Sequence, residues 1–235
     1  MTRAEEIARN LAGVQTRVLQ AALAAGRAAD AVTLLAVSKS MPVEDLAHAM
    51  AAGQRDFGEN YAQELRDKRA EMAGIPPRWH FIGPLQSNKV KYVAGLVSLI
   101  HSLDSAALLA EVNQRVPEGQ VQDCLVQVNV AAEPQKRGAR PDELPDLLDA
   151  FAELPRLRCK GLMVIPPLSE DPEGARPHFV ALRKLRDREA ARTRPRVDLH
   201  ELSMGMSHDL EAAVSEGATI VRVGTAIFGE RRRKA

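Results

Sequence analysis

The chain has 235 residues, a length that a (β/α) barrel can fill as one domain, and its 45% hydrophobic and 27% charged residues are typical of a globular protein. Its 32 basic and 31 acidic residues leave a net charge of +1, which argues against nucleic acid or a membrane surface as the main partner. An aromatic content of 3% also argues against a surface on which bases stack.

The cysteines and the N-terminus indicate a cytoplasmic protein. Cys124 and Cys159 each lie in a short apolar run, which is typical of a buried free thiol. The N-terminal segment carries acidic residues and has no uninterrupted apolar stretch, so it does not have the pattern of a signal peptide. No run approaches the roughly 18 consecutive apolar residues that a membrane-spanning helix needs.

The first predicted element is a helix, because Ile7, Leu11, Val14 and Val18 recur at helical spacing. A short apolar run then predicts a strand, and residues 42–53 predict a second helix. The same alternation continues along the chain. The runs that predict strands are 33–38, 55–58, 79–83, 96–103, 124–130, 161–165, 199–204 and 219–224.

Further helical patterns lie between these runs. One follows Ser105 as its cap, one covers 144–151, one covers 179–185, and one is opened by Ser207 and closed by Gly217. The runs lack clean alternation, as expected for parallel strands that are covered on both faces. The pattern predicts an α/β protein, a single-domain TIM barrel over residues 1–235 with an extra N-terminal helix. A doubly wound open sheet is the alternative.

Two basic residues are candidates for chemistry, because function in such a barrel collects at the carboxyl ends of the strands. Lys39 directly follows the first strand, where desolvation or a nearby cation would lower its pKa and permit Schiff-base chemistry. An ordinary solvent-exposed lysine is the alternative. Arg222 lies between Val221 and Val223, so it points into the barrel if both valines face the helices. It would then pair with an interior acid or face a ligand.

Two consecutive loops carry a phosphate-binding pattern. SMGMS ends in Ser207, and VGTAIFG contains Gly224 and Thr225; both segments lead into a predicted helix. Hydroxyl groups and the N–H groups of a helix start favour an anion, and the loops after strands 7 and 8 of TIM barrels often bind phosphate. Plain helix capping by Ser207 and Thr225 is the alternative. No GxGxxG pattern follows a strand, so a dinucleotide site is not indicated.

Several motifs together, in the same order, resemble the pyridoxal phosphate homeostasis proteins. These proteins are similar to the N-terminal barrel of alanine racemase, a fold type III enzyme. The resemblance covers nearly the whole chain. Its strongest segments are LLAVSKSMPVEDL, DFGENYAQEL, WHFIGPLQSNK, IHSLDS, GLMVIPP and ELSMGMSHDLEAAVSEGATIVRVGTAIFGER.

The resemblance implies a site for pyridoxal 5'-phosphate (PLP). Lys39 matches the lysine that forms the internal aldimine, and Arg222 matches the arginine that faces the pyridine nitrogen. The two loops match the phosphate-binding loops of the family, and Asn60 matches a residue that lines the cofactor ring. The implied cofactor-binding residues, including two from the pocket wall, are Lys39, Asn60, Ser203, Met204, Ser207, Arg222, Gly224 and Thr225.

The chain departs from the family pattern at two places. His208 stands where the family often has an acidic residue, so helix capping there is expected to depend on pH. The segment VNVAAEPQKRGAR differs from the polar, serine-containing loop of the family, which puts any role of Lys136 in doubt. Neither departure touches Lys39 or Arg222.

The resemblance also carries an expectation about catalysis. Alanine racemase has a second domain and takes its second base, a tyrosine, from the partner subunit. Here we expect no second domain, and the chain has only Tyr61 and Tyr92, both in helical patterns. Arg222 would keep the pyridine nitrogen unprotonated and so weaken the cofactor as an electron sink.

We therefore expect a cytoplasmic, monomeric PLP-binding homeostasis protein that is not an efficient enzyme. It would hold PLP as a lysine aldimine and pass it to PLP-dependent client enzymes, with no nucleic acid, membrane or metal involved. The first alternative is a small single-domain PLP-dependent amino-acid racemase. The second is a Schiff-base aldolase that acts on a sugar phosphate.

Overall fold

The computed structural model describes residues 1–74, 76–131, 133, 136–167 and 169–230. In this part of the chain, eight parallel strands form a closed barrel in which each strand pairs with the next and β8 pairs with β1. This confirms the predicted barrel and excludes the open sheet. Residues 231–235 of the predicted domain lie outside the described residues. The strands are β1 Thr33–Val37, β2 Asp56–Glu59, β3 Arg78–Phe81, β4 Leu99–Leu103, β5 Gln122–Gln127, β6 Leu157–Met163, β7 Val197–Ser203 and β8 Ile220–Val223.

Helices surround the barrel. Every predicted strand run overlaps an observed strand, and helices lie at the predicted places between them. After β3 the connection is a 3-10 helix, Ser87–Tyr92, in place of an α-helix. The α-helices of the described residues are α1 Arg3–Ala24, α2 Val43–Ala51, α3 Ala62–Glu71, α4 Ala106–Arg115, α5 Leu144–Asp149, α6 Arg176–Ala190, α7 Leu210–Ser215 and α8 Thr225–Phe228.

The extra N-terminal helix closes a gap in this outer ring. Thr2 and Glu5 form a capping box at the start of α1, which fixes two N–H groups that the helix itself cannot satisfy. The buried face of α1, with Ile7, Leu11 and Val14, packs against α2, α7 and α8. The helix α8 has only 4 residues, and α1 adds its buried apolar face to that side of the molecule.

The side chains of the strands divide into two apolar layers. One layer fills the space between the barrel and the helices and includes Val221 and Val223. A smaller layer lies inside the barrel and includes Leu35 and Ile220. Since side chains alternate along a strand, Arg222 shares the inner face with Ile220. The structure meets the condition stated for Arg222: both valines face the helices, and Arg222 therefore points inward.

Of two local predictions, the one about the cysteines is confirmed and the one about Ser207 is wrong. The buried Cys124 and Cys159 are free thiols, as predicted, and burial raises the pKa of both. The prediction that Ser207 opens a helix is wrong, because α7 begins at Leu210 and Asp209 occupies the N-cap position. Within the described residues, no helix is both long enough and apolar enough to cross a bilayer.

Candidate functional site

The end of β1 and the loop after β8 lie side by side at the carboxyl end of the barrel. The register pairs Leu35 with Arg222 and Ala36 with Val223. A β-carbon on Gly224 would lie only 3.2 Å from the carbonyl oxygen of Val37. The absence of a side chain at residue 224 therefore lets this loop approach the segment that carries Lys39.

The loops after β7 and β8 also meet. The Thr225 hydroxyl donates a hydrogen bond to the Ser207 hydroxyl over 3.3 Å, and the Arg222 backbone N–H donates to the Gly205 carbonyl over 2.9 Å. Gly205 has a φ of +91°, and a β-carbon there would lie 2.5 Å from the β-carbon of Ala213. Only glycine fits this position. The structure thus brings the two predicted phosphate loops into contact.

Hydrogen bonds from α1 and to Asp209 fix the backbone of the loop that carries Ser207, while the Ser207 hydroxyl lies in an exposed position. The backbone N–H of Met206 donates to Asp209 over 2.6 Å. Arg17 of α1 donates to the Ser207 carbonyl over 3.1 Å and forms an ion pair with Glu211 at 2.7 Å. Because Ser207 does not cap α7, its hydroxyl is available to an anion at the barrel opening.

Arg222 lies beneath these loops and is buried. Its Nη1 donates to the Ser203 hydroxyl over 2.8 Å, and its Nη2 donates to the Val164 carbonyl over 2.9 Å. Burial lowers the pKa of Arg222 to about 10, although the nearby charge of Asp209 acts in the opposite direction. The guanidinium therefore keeps its charge at neutral pH, and the two side-chain bonds described here go to uncharged oxygens.

A row of polar side chains continues from Ser203 into the barrel. We call Ser203, His101, His80 and Asp56 the histidine network. The Ser203 Oγ lies 2.8 Å from His101 Nδ1, and His101 Nε2 lies 3.0 Å from His80 Nδ1. His80 Nε2 lies 3.3 Å from Asp56 Oδ1. The network connects Arg222 with the opposite end of the barrel, because Asp56 is the first residue of β2.

Lys39 lies in a turn that is fixed on both sides by α3. The Lys68 ammonium of α3 donates to the Ser38 carbonyl over 2.7 Å, and the Ser40 N–H donates to the Glu64 carboxylate over 2.6 Å. Ser40 has a φ of +63°, which is an unfavourable conformation for a residue with a side chain. These bonds hold that conformation and define where the backbone of Lys39 lies.

The same ammonium joins two carboxylates. We call Lys68, Glu59 and Glu64 the lysine clamp. Lys68 Nζ lies 2.7 Å from Glu59 Oε1 and 2.7 Å from Glu64 Oε1, and the Ser38 hydroxyl also donates to Glu59. Burial raises the pKa of Glu59, and the charge of Lys68 partly offsets that rise. Glu59 and Lys68 thus form a buried ion pair, and Glu64 joins it from a partly exposed position.

The remaining predicted residues take different places around this centre. Asn60 is half-buried and directly follows β2. The Ser203 side chain is buried below Arg222, and the Met204 side chain is buried in the outer apolar layer. Met204 can therefore contribute to a pocket wall only through its backbone. His208 does not cap a helix, because its Nε2 contacts the Glu170 carbonyl at 2.8 Å.

The sequence analysis missed the lysine clamp and the histidine network. Lys68 lies in the charged stretch AQELRDKRAE, where a lysine is expected to face solvent. The spacing of Glu64 and Lys68 was the available signal, since residues four apart pair on one helix face. His80 and His101 stand inside apolar strand runs, and that position is the signal for a buried polar contact.

The alanine racemase N-terminal domain family model matches residues 6–232. The pyridoxal phosphate homeostasis protein of Aquifex aeolicus is 45% identical over 223 residues, which is 94% of this chain and 97% of the relative. The protein of that name from Escherichia coli K12 is 46% identical over 234 residues, 96% of this chain and 97% of the relative. This chain belongs to the pyridoxal phosphate homeostasis protein family.

Solved structures agree with this assignment. The structure of PipY from Synechococcus elongatus with PLP bound is 36% identical, with a TM-score of 0.82, and the match covers 95% of this chain and all of that chain (100%). Alanine racemase from Corynebacterium glutamicum is 15% identical with a TM-score of 0.70, over 95% of this chain and 60% of that chain. The second likeness shows a shared fold.

Proposed function

We propose that this protein binds PLP covalently through Lys39 and serves PLP homeostasis in the cytoplasm as a monomer, without efficient catalysis. One observation carries the proposal. The two loops with Ser207 and Thr225, the buried Arg222 and the segment with Lys39 all meet at the carboxyl end of one barrel. The family assignment and the PLP-bound relative support the same ligand.

The residues present fit the three functional groups of PLP. The hydroxyls of Ser207 and Thr225, 3.3 Å apart in an exposed position, suit the oxygens of a phosphate. Arg222 is a buried donor that suits a pyridine nitrogen with a free electron pair. Lys39 supplies the primary amine that an aldehyde requires.

When bound, the cofactor supplies an aldehyde that condenses reversibly with an amine and releases one water. The protein's own groups then account for holding and releasing the cofactor. Lys39 provides the amine, and the lysine clamp fixes the two residues that flank it. Because a competing amine can replace Lys39, the covalent bond is compatible with transfer of PLP to a client enzyme.

The same geometry supports the proposal that the protein is a poor catalyst. Arg222 has a pKa of about 10 and stays charged at neutral pH, so it would donate to the pyridine nitrogen and leave that nitrogen unprotonated. Tyr92 lies close to the cations of Arg66 and Lys91, and Tyr61 is the N-cap residue of α3. Neither position indicates that a tyrosine acts as a second base opposite Lys39.

The decisive experiment is a visible spectrum of the PLP-loaded protein, followed by borohydride reduction and peptide mapping. We expect absorption in the visible range and a pyridoxyl group on Lys39. Lys39→Ala should abolish both, while phosphate-dependent binding persists at lower affinity. A pyridoxyl group found only on another lysine, such as Lys89, would contradict the assignment. A colourless protein would favour the sugar-phosphate aldolase.

A second measurement separates the proposal from a racemase. The PLP-loaded protein should turn over L- and D-alanine and other amino acids far more slowly than roughly 1 per second, the lower end of ordinary enzyme rates. A missing general base typically costs a factor of about 10² to 10⁴ in rate. Turnover at an ordinary rate would establish the racemase. Transfer of PLP to an apo-enzyme faster than spontaneous release would support the carrier role.

A further inference from the structure

The histidine network runs from Ser203, which contacts Arg222, to Asp56, and Arg222 and Asp56 at its two ends differ in what they can do. Arg222 can only donate hydrogen bonds, and an ionised Asp56 can only accept them. Asp56 is fixed in the ionised form by Arg78, whose Nη2 lies 2.6 Å from Asp56 Oδ2. His80 and Arg78 together hold the pKa of Asp56 below its usual value, although burial acts against them.

When both imidazoles are neutral, these two ends set the direction of every bond between them. The Ser203 oxygen accepts from Arg222, so its own proton is directed at His101 Nδ1. The proton of His101 must then lie on Nε2, where it donates to His80 Nδ1. His80 in turn carries its proton on Nε2 and donates to Asp56. When both rings are neutral, this is the one arrangement of protons that satisfies all the contacts.

A charged His101 would conflict with its surroundings. Its side chain is fully buried, and burial and the charge of Arg222 lower its pKa. Ser203, the member of the network that contacts Arg222, therefore gives the guanidinium a hydrogen-bond acceptor without an opposing charge. A carboxylate in the place of Ser203 would neutralise the guanidinium and attract its N–H groups away from the barrel opening.

We propose that Ser203 and His101 are positioning residues that hold the Arg222 guanidinium toward the ring nitrogen of the bound cofactor. The inference rests on the proposed PLP site. Arginine has five N–H donors, and the bonds to Ser203 and Val164 use two of them on the inner side. Fixing the side chain there leaves its other N–H groups for a ligand at the barrel opening.

The first test compares two ligands that differ only at the ring nitrogen. PLP and its 1-deaza analogue, in which a C–H replaces the nitrogen, are titrated into the wild-type protein, Ser203→Ala and His101→Phe. We expect both variants to bind PLP about three- to tenfold more weakly, the effect of one hydrogen bond, and to bind the deaza analogue as the wild type does.

Cys124→Ala is the matched control, because Cys124 and Ser203 are both fully buried and each substitution removes one atom beyond the β-carbon. It should leave the ratio of the two affinities unchanged. Equal weakening of both ligands by Ser203→Ala would overturn the positioning role and leave a structural one. If His101→Phe does not fold, His101→Gln takes its place.

The second test uses the ligand-free protein and does not depend on PLP binding. Nitrogen-15 NMR of the histidine side chains should show His101 as a neutral imidazole with the proton on Nε2 at pH 7. Ser203→Ala should shift the Nδ1 signal of His101. A protonated Nδ1 on His101 would overturn the inferred network. Failure of the wild type to bind PLP would instead reject the proposed function, whatever the NMR result.

Discussion

The lysine clamp beside β1 and the histidine network below β8 each fix one basic group at the barrel opening, and they do so by opposite means. The clamp uses ionised groups, with Lys68 between Glu59 and Glu64. The network uses uncharged groups next to Arg222. In a buried ion pair, the cost of desolvating the charges cancels much of the Coulombic attraction. A row of hydrogen bonds between uncharged groups stabilises the fold only if every donor faces an acceptor.

This difference matches what each basic group is proposed to do. Lys39 needs a fixed backbone and a mobile side chain that can form and break a covalent bond. The clamp provides the fixed backbone, since it contacts Ser38 and Ser40. Arg222 needs a fixed side chain and an undiminished charge. The network provides both, because its contact with the guanidinium is a neutral hydroxyl.

The largest expected effect comes from breaking the clamp. Lys68→Met leaves Glu59 buried without a cation, and removing one partner of a buried ion pair typically costs about 3–5 kcal/mol of unfolding free energy. Urea denaturation measures this loss. The double variant with Glu59→Gln should recover part of it, because the uncompensated charge is then gone.

Arg66→Met is the control for this experiment, since Arg66 lies on the same helix and its side chain is 51% exposed. It should leave the urea midpoint unchanged. Equal midpoints for wild type and Lys68→Met would show that the clamp does not stabilise the turn that carries Lys39.

The next largest effect is on PLP affinity, and it tests the phosphate loops independently of the lysine clamp and the histidine network. Ser207→Ala should weaken PLP binding about ten- to hundredfold, because a charge-assisted hydrogen bond contributes about 1.5–3 kcal/mol. Binding of pyridoxal, which lacks the phosphate, should be far weaker in the wild type and unchanged by the substitution. Titration of both vitamers measures this. Equal wild-type affinities for them would contradict a phosphate site at Ser207.

The barrel and the residues at its opening follow from sequence, because strand periodicity and motif order are local properties. The short runs predicted each strand, and the alternation around Arg222 predicted its inward direction. The start of α7 was not predicted correctly, since Asp209 replaces Ser207 as the N-cap two residues further on. Both residues are good caps, so propensity alone does not decide between them.

The lysine clamp and the histidine network depend on contacts between distant residues, which a local sequence pattern does not predict. His101 and Ser203 are 102 residues apart and meet only because β4 and β7 both contribute to the barrel interior. Lys68 is buried only because α3 packs over the ends of β1 and β2. The roles of Lys68 and His101 can be assigned only after the closed barrel shows which residues they contact.

The smallest effect distinguishes the two regions by the sign of their response to acid. His101 has a lowered pKa in the folded protein, so below about pH 6.5 the unfolded chain takes up a proton that the folded protein does not. Stability then falls as the pH falls. Glu59 has a raised pKa, so the folded protein takes up that proton first and acid favours folding there. Asp56 has a lowered pKa, and its contribution is lost only below about pH 4.

Urea unfolding at pH 7.5, 6.5 and 5.5 tests this opposition. The histidine contribution should cost about 1 kcal/mol between pH 6.5 and 5.5, since one proton taken up by the unfolded chain costs up to about 1.4 kcal/mol per pH unit. His101→Phe should flatten that slope. Glu59→Gln should steepen the loss of stability as the pH falls further toward 4.5, the ordinary glutamate value above which the raised pKa acts. Cys124→Ala, which removes a buried group that does not titrate in this range, serves as the control and should keep the wild-type slope. A wild-type slope in His101→Phe would place the acid sensitivity outside the histidine network.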